Sequence, residues 1–478
     1  MAMKAKGFDQ WRWALGVLVV AVGAIAPTAA ALGMMEGPRS EGEPARVEPG
    51  PGQRSGGIEH VSTEAWVEFI EGQWEQTYEE YFGRDLPASS PKPTDIRATL
   101  MAMDAQAKTR TALIYSEVEV LRGRSFLKVV VTTGKSTWEH RMAMGVTADQ
   151  VAAQVRSQRS QVTGFQVQAL VGGGGLDLRP AQQLYDWIIR PIAARLEADG
   201  IEQLVFCMGE GLRAVPLAAL HDGERFLIER YAIAQIPGFS LLDAQVIGSH
   251  RDSGVLAMGA SEFGDLAPLP GVPLELTAIA QRFQRVGGGS RQILNEGFTA
   301  ANLQRQRQRG ETIVHLATHA DFRAGPVTRS FVRFWDEALS LDQLRSLDWA
   351  TPPVQLLVLS ACKTAVGDRN AELGFAGLAV AAGVPTAIAS LWTVSDLGTL
   401  ALMDTFYDRL ITAPSATVAL RQAQLDLLNG QVRIENGQLR RRDGSRLPLP
   451  SSLGADGVSI DLTHPFHWAA FTVIGNPW

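Results

Sequence analysis

The segment "LLVLSACKTA" (residues 356–365) decides the fold, together with a second segment of the same form, "TIVHLATHADF" (residues 312–322). Both contain an unbroken apolar run, which is typical of a strand buried on both faces of a parallel sheet. Both then reach a reactive side chain, Cys362 in the first segment and His319 in the second. Ligands bind beyond the carboxyl ends of parallel strands, so the two segments predict a shared site at one edge of a sheet.

The separation of the two residues also fits a shared site. Cys362 lies 43 residues after His319, which leaves room for a strand, a loop and a short helix between two neighbouring parallel strands. The histidine of caspase-type enzymes lies about 50 residues before the cysteine. A nearby imidazole increases the population of the nucleophilic thiolate and can then protonate a leaving amine. Either residue by itself would be ordinary, because a buried cysteine behaves as a small hydrophobe and a buried histidine is commonly structural.

Strands alternate with helices through most of the chain, and this alternation predicts an α/β fold with helices packed on a central, mostly parallel sheet. Residues 32–57 have the composition of a disordered linker, and a helical segment follows over residues 58–95. An apolar stripe recurs in that segment every four residues, at Trp66, Ile70, Trp74 and Tyr78. Residues 96–250 then form a first α/β half, and residues 251–478 form a second half that contains both reactive residues.

The N-terminal segment, residues 1–31, has early basic residues, an apolar run and small residues at its end, which is the pattern of a secretory signal peptide. The uncharged run from Trp13 to Met35 is also roughly 20 residues long, enough for a membrane anchor that is not cleaved. We therefore expect a protein exported to the periplasm or the extracellular space, or anchored to a membrane and facing outward. Contact with a membrane is predicted for this segment alone.

The bulk composition excludes some classes of function. A net charge of −6 and a pI near 5.8 predict no nucleic-acid partner, and Arg440–Arg442 is interpreted as a solvated loop. The glycine run "VGGGG" (residues 171–175) lacks the Lys-Ser or Lys-Thr of a phosphate-binding loop. We therefore interpret it as a flexible connection and expect no cofactor.

Several separated motifs resemble a single family. They are "GLRAVPLAALHDGERF" (211–226), "VHLATHADF" (314–322), "LVLSACKTAVGD" (357–368), "GFAGLAVAAGVPTAIASLW" (374–392) and "HPFHWAAFTVIG" (464–475). Together they resemble the CHAT domain, a caspase-like family related to separases and caspases, over roughly residues 96–478. The resemblance implies a caspase-like three-layer α/β fold, and the first half could be a degenerate copy of the second.

The resemblance also implies roles for individual residues. His319 and Cys362 would form a catalytic dyad, and the backbone amides of Cys362 and Ala320 would form the oxyanion hole. Ala320 departs from the family, which usually has glycine there; alanine keeps the amide donor but restricts φ. Asp396 would be the S1 residue that binds a basic side chain before the scissile bond, or alternatively the N-cap of the following helix. His315, on the same strand as His319, would be structural.

Other charged residues lie near the cysteine in sequence. Asp368 and Glu372 follow it in a predicted loop and could also meet a basic substrate side chain. Lys363 stands where the family commonly has glutamate, and we interpret it as a solvated side chain.

Two functions follow from the resemblance. The first is a cysteine endopeptidase that cleaves a protein or peptide substrate through a thioester intermediate. The second is a non-catalytic caspase-like module for protein–protein interaction or regulation, which the departure at Ala320 and the lack of attached TPR repeats leave open. A metal hydrolase is excluded, because "HLATH" (residues 315–319) lacks the glutamate of the His-Glu-x-x-His motif and such paired histidines converge on a helix rather than on a strand.

Overall fold

The computed structural model describes residues 62–86, 92–141, 145–164, 176–360, 362–364, 368–454 and 456–478, with the backbone alone for residues 362–364. The predicted leader, the linker and the glycine run at residues 171–175 lie outside these ranges. Within them, no helix is both long and apolar enough to cross a bilayer. Export stays a prediction from the sequence.

Eighteen strands, most of them short, occur in the described part of the chain. The strands are Thr111–Leu121 (β1), Arg124–Thr133 (β2), Thr137–Arg141 (β3), Gln203–Met208 (β4), Ala232–Ile236 (β5), Val255–Gly259 (β6), Ser290–Leu294 (β7), Ile313–Ala317 (β8), Ala320–Phe322 (β9), Phe331–Arg333 (β10), Ala338–Ser340 (β11), Leu356–Leu359 (β12), Cys362–Thr364 (β13), Thr386–Ser390 (β14), Arg433–Glu435 (β15), Gln438–Arg440 (β16), Arg446–Pro448 (β17) and Phe471–Gly475 (β18).

Helices connect many of these strands. The α-helices are Thr63–Phe82 (α1), Pro93–Ala107 (α2), Ala148–Thr163 (α3), Arg179–Ile188 (α4), Arg190–Ala198 (α5), Leu227–Arg230 (α6), Val272–Arg285 (α7), Ala300–Arg307 (α8), Arg369–Ala376 (α9), Leu378–Ala382 (α10), Asp396–Leu410 (α11), Ala416–Leu428 (α12) and Pro465–Trp468 (α13).

The central sheet has 11 strands in the order β3-β2-β1-β4-β5-β18-β14-β12-β8-β6-β7. It consists of two parallel blocks and an antiparallel edge, in which β2 pairs with β1 and β3 pairs with β2. In the first block β1, β4, β5 and β18 run in one direction, and in the second block β14, β12, β8, β6 and β7 run in the other. The blocks join where β18 pairs antiparallel with β14. The predicted α/β fold with a mostly parallel central sheet flanked by helices is confirmed.

The central strands are buried along their whole length, as their unbroken apolar runs predicted. Helix α1 covers part of the sheet with its predicted stripe, because Trp66, Ile70 and Trp74 pack against Tyr115 of β1. From the same helix the buried carboxylate of Glu71 accepts the Tyr115 hydroxyl at 2.6 Å and two backbone amides near residue 239. These contacts fix α1 to the first block.

Two helical stretches are each divided in two. The first breaks between α4 and α5, because Pro191 has no N–H to continue the α-helical ladder. The second breaks between α9 and α10 at Gly377, where a Cβ atom would lie 2.9 Å from both Leu373 O and the ring of Phe82 in α1. Gly377 therefore permits the close approach of α1 to the segment that follows Cys362.

The predicted boundary near residue 250 lies in the irregular segment between the 3₁₀ turn Phe239–Leu241 and β6. Strands β1 to β5 precede it and the second block follows it. However, β18 comes from the C-terminal side of the chain and completes the first block. The division into two halves stays a prediction.

Candidate active site

The two strands singled out by the sequence are direct neighbours in the sheet. β12 pairs in parallel with β8, with Leu356 opposite Ile313 and Leu359 opposite Leu316. This register brings both carboxyl ends to the same edge of the sheet. The pairing extends past the strand ends, because the Ser360 amide donates to Leu316 O at 3.1 Å.

Beyond that edge the chain continues into a small sheet with the order β11-β10-β9-β13. β9 follows His319 directly, and β13 begins at Cys362. The two strands pair in parallel, with Cys362 opposite Ala320 and Thr364 opposite Phe322. The backbone of the predicted nucleophile therefore lies across from the residue that follows the predicted base. Sequence reasoning missed this sheet, since strands of three residues carry no readable periodicity.

His319 is half-buried and is held on several sides. Its Nε2 atom lies 2.8 Å from the carbonyl oxygen of Ala267, and the ring of Phe263 packs edge-on at a centroid distance of 4.8 Å. Its own carbonyl accepts the Arg333 amide of β10 at 2.8 Å. Since a carbonyl can only accept, Nε2 carries the proton and Nδ1 of the neutral ring is left as a proton acceptor. This tautomer is the one that a general base at Nδ1 requires.

Ala320 lies in β9, where it is almost fully buried and pairs with Val332 on one side and Cys362 on the other. Some non-glycine residues in the described part of the chain have a positive φ, and Ala320 is not one of them. The extended backbone therefore accepts a methyl group without strain, and the departure from glycine does not distort this edge.

For the peptide hydrolysis that the family resemblance implies, we expect Ala320→Gly to leave kcat/KM unchanged and to lower the free energy of unfolding by about 0.5–1 kcal/mol, because glycine loses more backbone entropy in a strand. Steady-state kinetics and urea denaturation measure the two effects. A large gain in kcat/KM would show instead that the alanine methyl group obstructs the site.

A cavity of about 160 Å³ opens beside His319. Asp396 lines it together with His319 and Glu275. Asp396 is the first residue of α11, and its Oδ2 atom accepts the Gly271 amide at 3.2 Å. The alternative that Asp396 caps this helix is wrong, because Ser395 is the N-cap and its hydroxyl accepts the Gly398 amide.

Burial raises the pKa of Asp396 above its usual value, and the amide of Gly271 opposes that shift. The neighbouring Glu275 raises the same pKa further, whereas His319 lowers it. A cation in the cavity would stabilise the ionised carboxylate. The cavity lining thus places the carboxyl groups of Asp396 and Glu275 near His319, and it also includes Arg323.

Glu275 is a site residue that sequence reasoning missed. It is buried on α7, and its Oε1 atom lies 2.9 Å from Nε2 of His315. Nδ1 of His315 lies 3.0 Å from the hydroxyl of Tyr407, and His315 is fully buried, which agrees with the structural role predicted for it. The sequence signal that could have identified Glu275 is its position among the buried apolar residues of an amphipathic helix, between Val272 and Leu276.

The two carboxylates that follow Cys362 have structural contacts. Asp368 is the N-cap of α9 and accepts the amides of Asn370 and Ala371, each at 3.0 Å. Glu372 is buried in the first turn of α9 and accepts the Gly211 amide at 3.1 Å. Neither belongs to the described residues that line the cavity. No group of three metal-binding side chains occurs among the residues with described side chains.

Comparison with known proteins identifies the family. The CHAT domain model matches residues 178–476, which is more than half of the chain. Separase in the Saccharomyces cerevisiae separase–securin complex has 11% sequence identity and a TM-score of 0.45, and the match covers 80% of this chain. RgpB in the complex of its Porphyromonas gingivalis pro- and mature domains has 12% identity and a TM-score of 0.36, with 69% of this chain and 76% of that chain covered.

This chain spans 31% of the separase chain, so the resemblance concerns only part of that protein. No curated protein sequence matches the chain. The extent of the family match, together with the motifs around His319 and Cys362, shows that the chain belongs to the CHAT domain family.

Proposed function

We propose that this protein is a cysteine endopeptidase in which Cys362 is the nucleophile and His319 is the general base. The observation that carries the proposal is the parallel pairing of β13 with β9, which sets Cys362 opposite Ala320 and so beside His319. The fixed ring of His319 supports it, because its Nε2 donates to Ala267 and its Nδ1 remains an acceptor.

In the proposed reaction, His319 Nδ1 takes the thiol proton of Cys362 and the sulfur attacks the scissile carbonyl carbon. The backbone amides of Cys362 and Ala320 stabilise the negative charge on the carbonyl oxygen. His319 then gives its proton to the leaving amine as the C–N bond breaks, and a thioester remains. Water, deprotonated by His319, attacks the thioester, and the thiol is regenerated when the acid product leaves.

Asp396 supplies the specificity in this proposal. Its carboxylate lines the same cavity as His319, with Glu275 as a second acidic group in the cavity wall. A lysine or arginine side chain before the scissile bond would pair with Asp396. The extended backbone at Ala320 supports the catalytic proposal over the non-catalytic alternative, because a methyl group fits there without strain.

An activity-based probe tests the proposal. We expect a peptidyl acyloxymethyl ketone with arginine next to the reactive carbon to label the purified full-length chain at Cys362, as mapped by mass spectrometry. Labelling should disappear in Cys362→Ala and persist in Cys207→Ala. Cys207 is a matched control, because it is fully buried and burial raises the pKa of its thiol well above the usual value. Absence of labelling at Cys362 would overturn the proposal in favour of a non-catalytic module.

A further inference from the structure

The loop between β14 and α11, here called the Trp392 loop (residues 391–395), sets the position of Asp396. Thr393 and Val394 of this loop line the cavity with Asp396. Contacts hold its beginning in place, since the Leu391 amide donates to Ala470 O at 2.8 Å and the Trp392 indole N–H donates to Phe466 O at 3.1 Å. The place of the Asp396 carboxylate therefore depends on the groups that fix this loop.

One of those groups comes from far away in the sequence. Arg159 lies on α3, and its Nη2 atom donates to Leu391 O at 2.6 Å. Its guanidinium also lies 5.9 Å from the ring centroid of Trp392. Arg159 is 6% exposed, and the family match begins only at residue 178. Helix α3, which precedes the matched region, thus contributes a contact to the loop that leads into the candidate S1 residue, Asp396.

Arg159 also feels the charge of Glu372 on α9, the helix that follows Cys362. Burial lowers the pKa of Arg159 to about 10, and the carboxylate of Glu372 on α9 opposes that shift. Glu372 is itself fixed by the amide of Gly211. A buried charge destabilises a fold unless it is paired and hydrogen-bonded, so an arginine that serves only to fill this space would be a poor choice.

We propose that Arg159 is a positioning residue for the S1 side of the cavity, and that α3 is therefore part of the functional unit. The inference rests on the proposed function for the identity of the S1 ligand, a basic side chain. Arg159 holds Leu391 and Trp392, and the short chain from Trp392 to Asp396 then holds the carboxylate against the cavity. Its planar guanidinium can donate to a carbonyl and lie near an indole ring at once, which a lysine ammonium does less well.

The test uses benzamidine, an arginine-like cation, so that binding is measured without catalysis. In isothermal titration with the full-length chain, we expect benzamidine to bind about tenfold more weakly to Arg159→Met than to the wild type, and Arg159→Lys to lie between them. Arg421→Lys is the matched control. Arg421 donates to Ile228 O at 2.8 Å and Glu229 O at 2.7 Å, burial lowers its pKa, and it is not among the described residues that line the cavity.

Hydrolysis provides the second readout. With matched peptides that carry arginine or its neutral analogue citrulline before the scissile bond, Arg159→Met should raise KM for the arginine peptide and reduce the preference for arginine about tenfold. The preference in Arg421→Lys should equal that of the wild type. If Arg159→Met does not fold, Arg159→Lys and Arg159→Gln carry the comparison.

The outcomes separate this inference from the proposed function. The positioning role would be overturned if the Arg159 variants bound benzamidine as tightly as the wild type does, or if Arg421→Lys weakened binding equally. It would also be overturned if the wild type did not bind benzamidine. If benzamidine binds to the wild type and binds more weakly to Arg159→Met, but the wild type hydrolyses no peptide, the positioning role stands and the peptidase proposal is wrong.

Discussion

His319→Ala is expected to hydrolyse a peptide substrate with kcat/KM about 10²- to 10⁴-fold below that of the wild type, because the variant loses the group that takes the thiol proton. The loss should appear in kcat rather than in KM, since the imidazole is expected to act on the reacting atoms and not on the bound side chain. Steady-state kinetics with an arginine peptide at pH 7 measures the effect.

The rate of probe labelling gives a sharper signature of the same variant. Without His319 the thiol must ionise unaided, and an ordinary cysteine has a pKa near 8.5. Labelling of His319→Ala should therefore be slow at pH 7 and should rise steeply towards pH 9. His140→Ala is the control, because His140 lies on β3 at the far edge of the central sheet. Equal labelling of His319→Ala and wild type at pH 7 would contradict the dyad.

Asp396→Asn has the second large expected effect, a loss of about 10²-fold in kcat/KM for an arginine peptide with little change for the citrulline peptide. Removal of one member of a buried charge pair costs about 2–5 kcal/mol, which corresponds to a factor of roughly 30 to 4,000. Asp408→Asn is a control on the same helix, since Asp408 pairs with Arg282 and is not among the described residues that line the cavity. Equal losses for both peptides would contradict a role in specificity.

The pH dependence follows from the direction of the shift at Asp396. Burial raises the pKa of this carboxyl, so the ionised form that binds a cation is lost at a higher pH than for a solvated aspartate. As the pH falls through that raised value, kcat/KM for the arginine peptide should fall relative to the citrulline peptide. The ratio of the two should be independent of pH in Asp396→Asn. A ratio that stays constant with pH in the wild type would contradict the assignment.

The sequence predicts the central sheet well because its strands are long enough to be recognised locally. β8 and β12 were expected from unbroken apolar runs, and they form neighbouring strands with the predicted residues at one edge. The hairpin at Asn436-Gly437 can also be recognised locally, because Asn-Gly is a preferred two-residue turn and both residues have the positive φ that it requires. These elements depend on the chemistry of adjacent residues, which a single sequence displays.

The parts that could not be predicted depend on contacts between distant segments. Arg441 was interpreted as part of a solvated loop, yet it pairs with the buried carboxylate of Asp404 at 2.7 and 2.8 Å. Asp404 also accepts from Arg282 at 3.0 Å. Glu275 and Arg159 could not be predicted for the same reason, because their partners come from other helices and strands. Burial of a charge in such places becomes visible only when the partner is known.

The place of β18 in the sheet has a consequence for how the protein is made. During translation, β5 and β14 emerge from the ribosome long before Phe471–Gly475, which pairs with both of them. Until then each has an unpaired edge, and exposed strand edges readily pair with other chains. The edges of β5 and β14 therefore stay unpaired until Phe471–Gly475 has been synthesised, and the two blocks of the sheet can join only after that strand has formed.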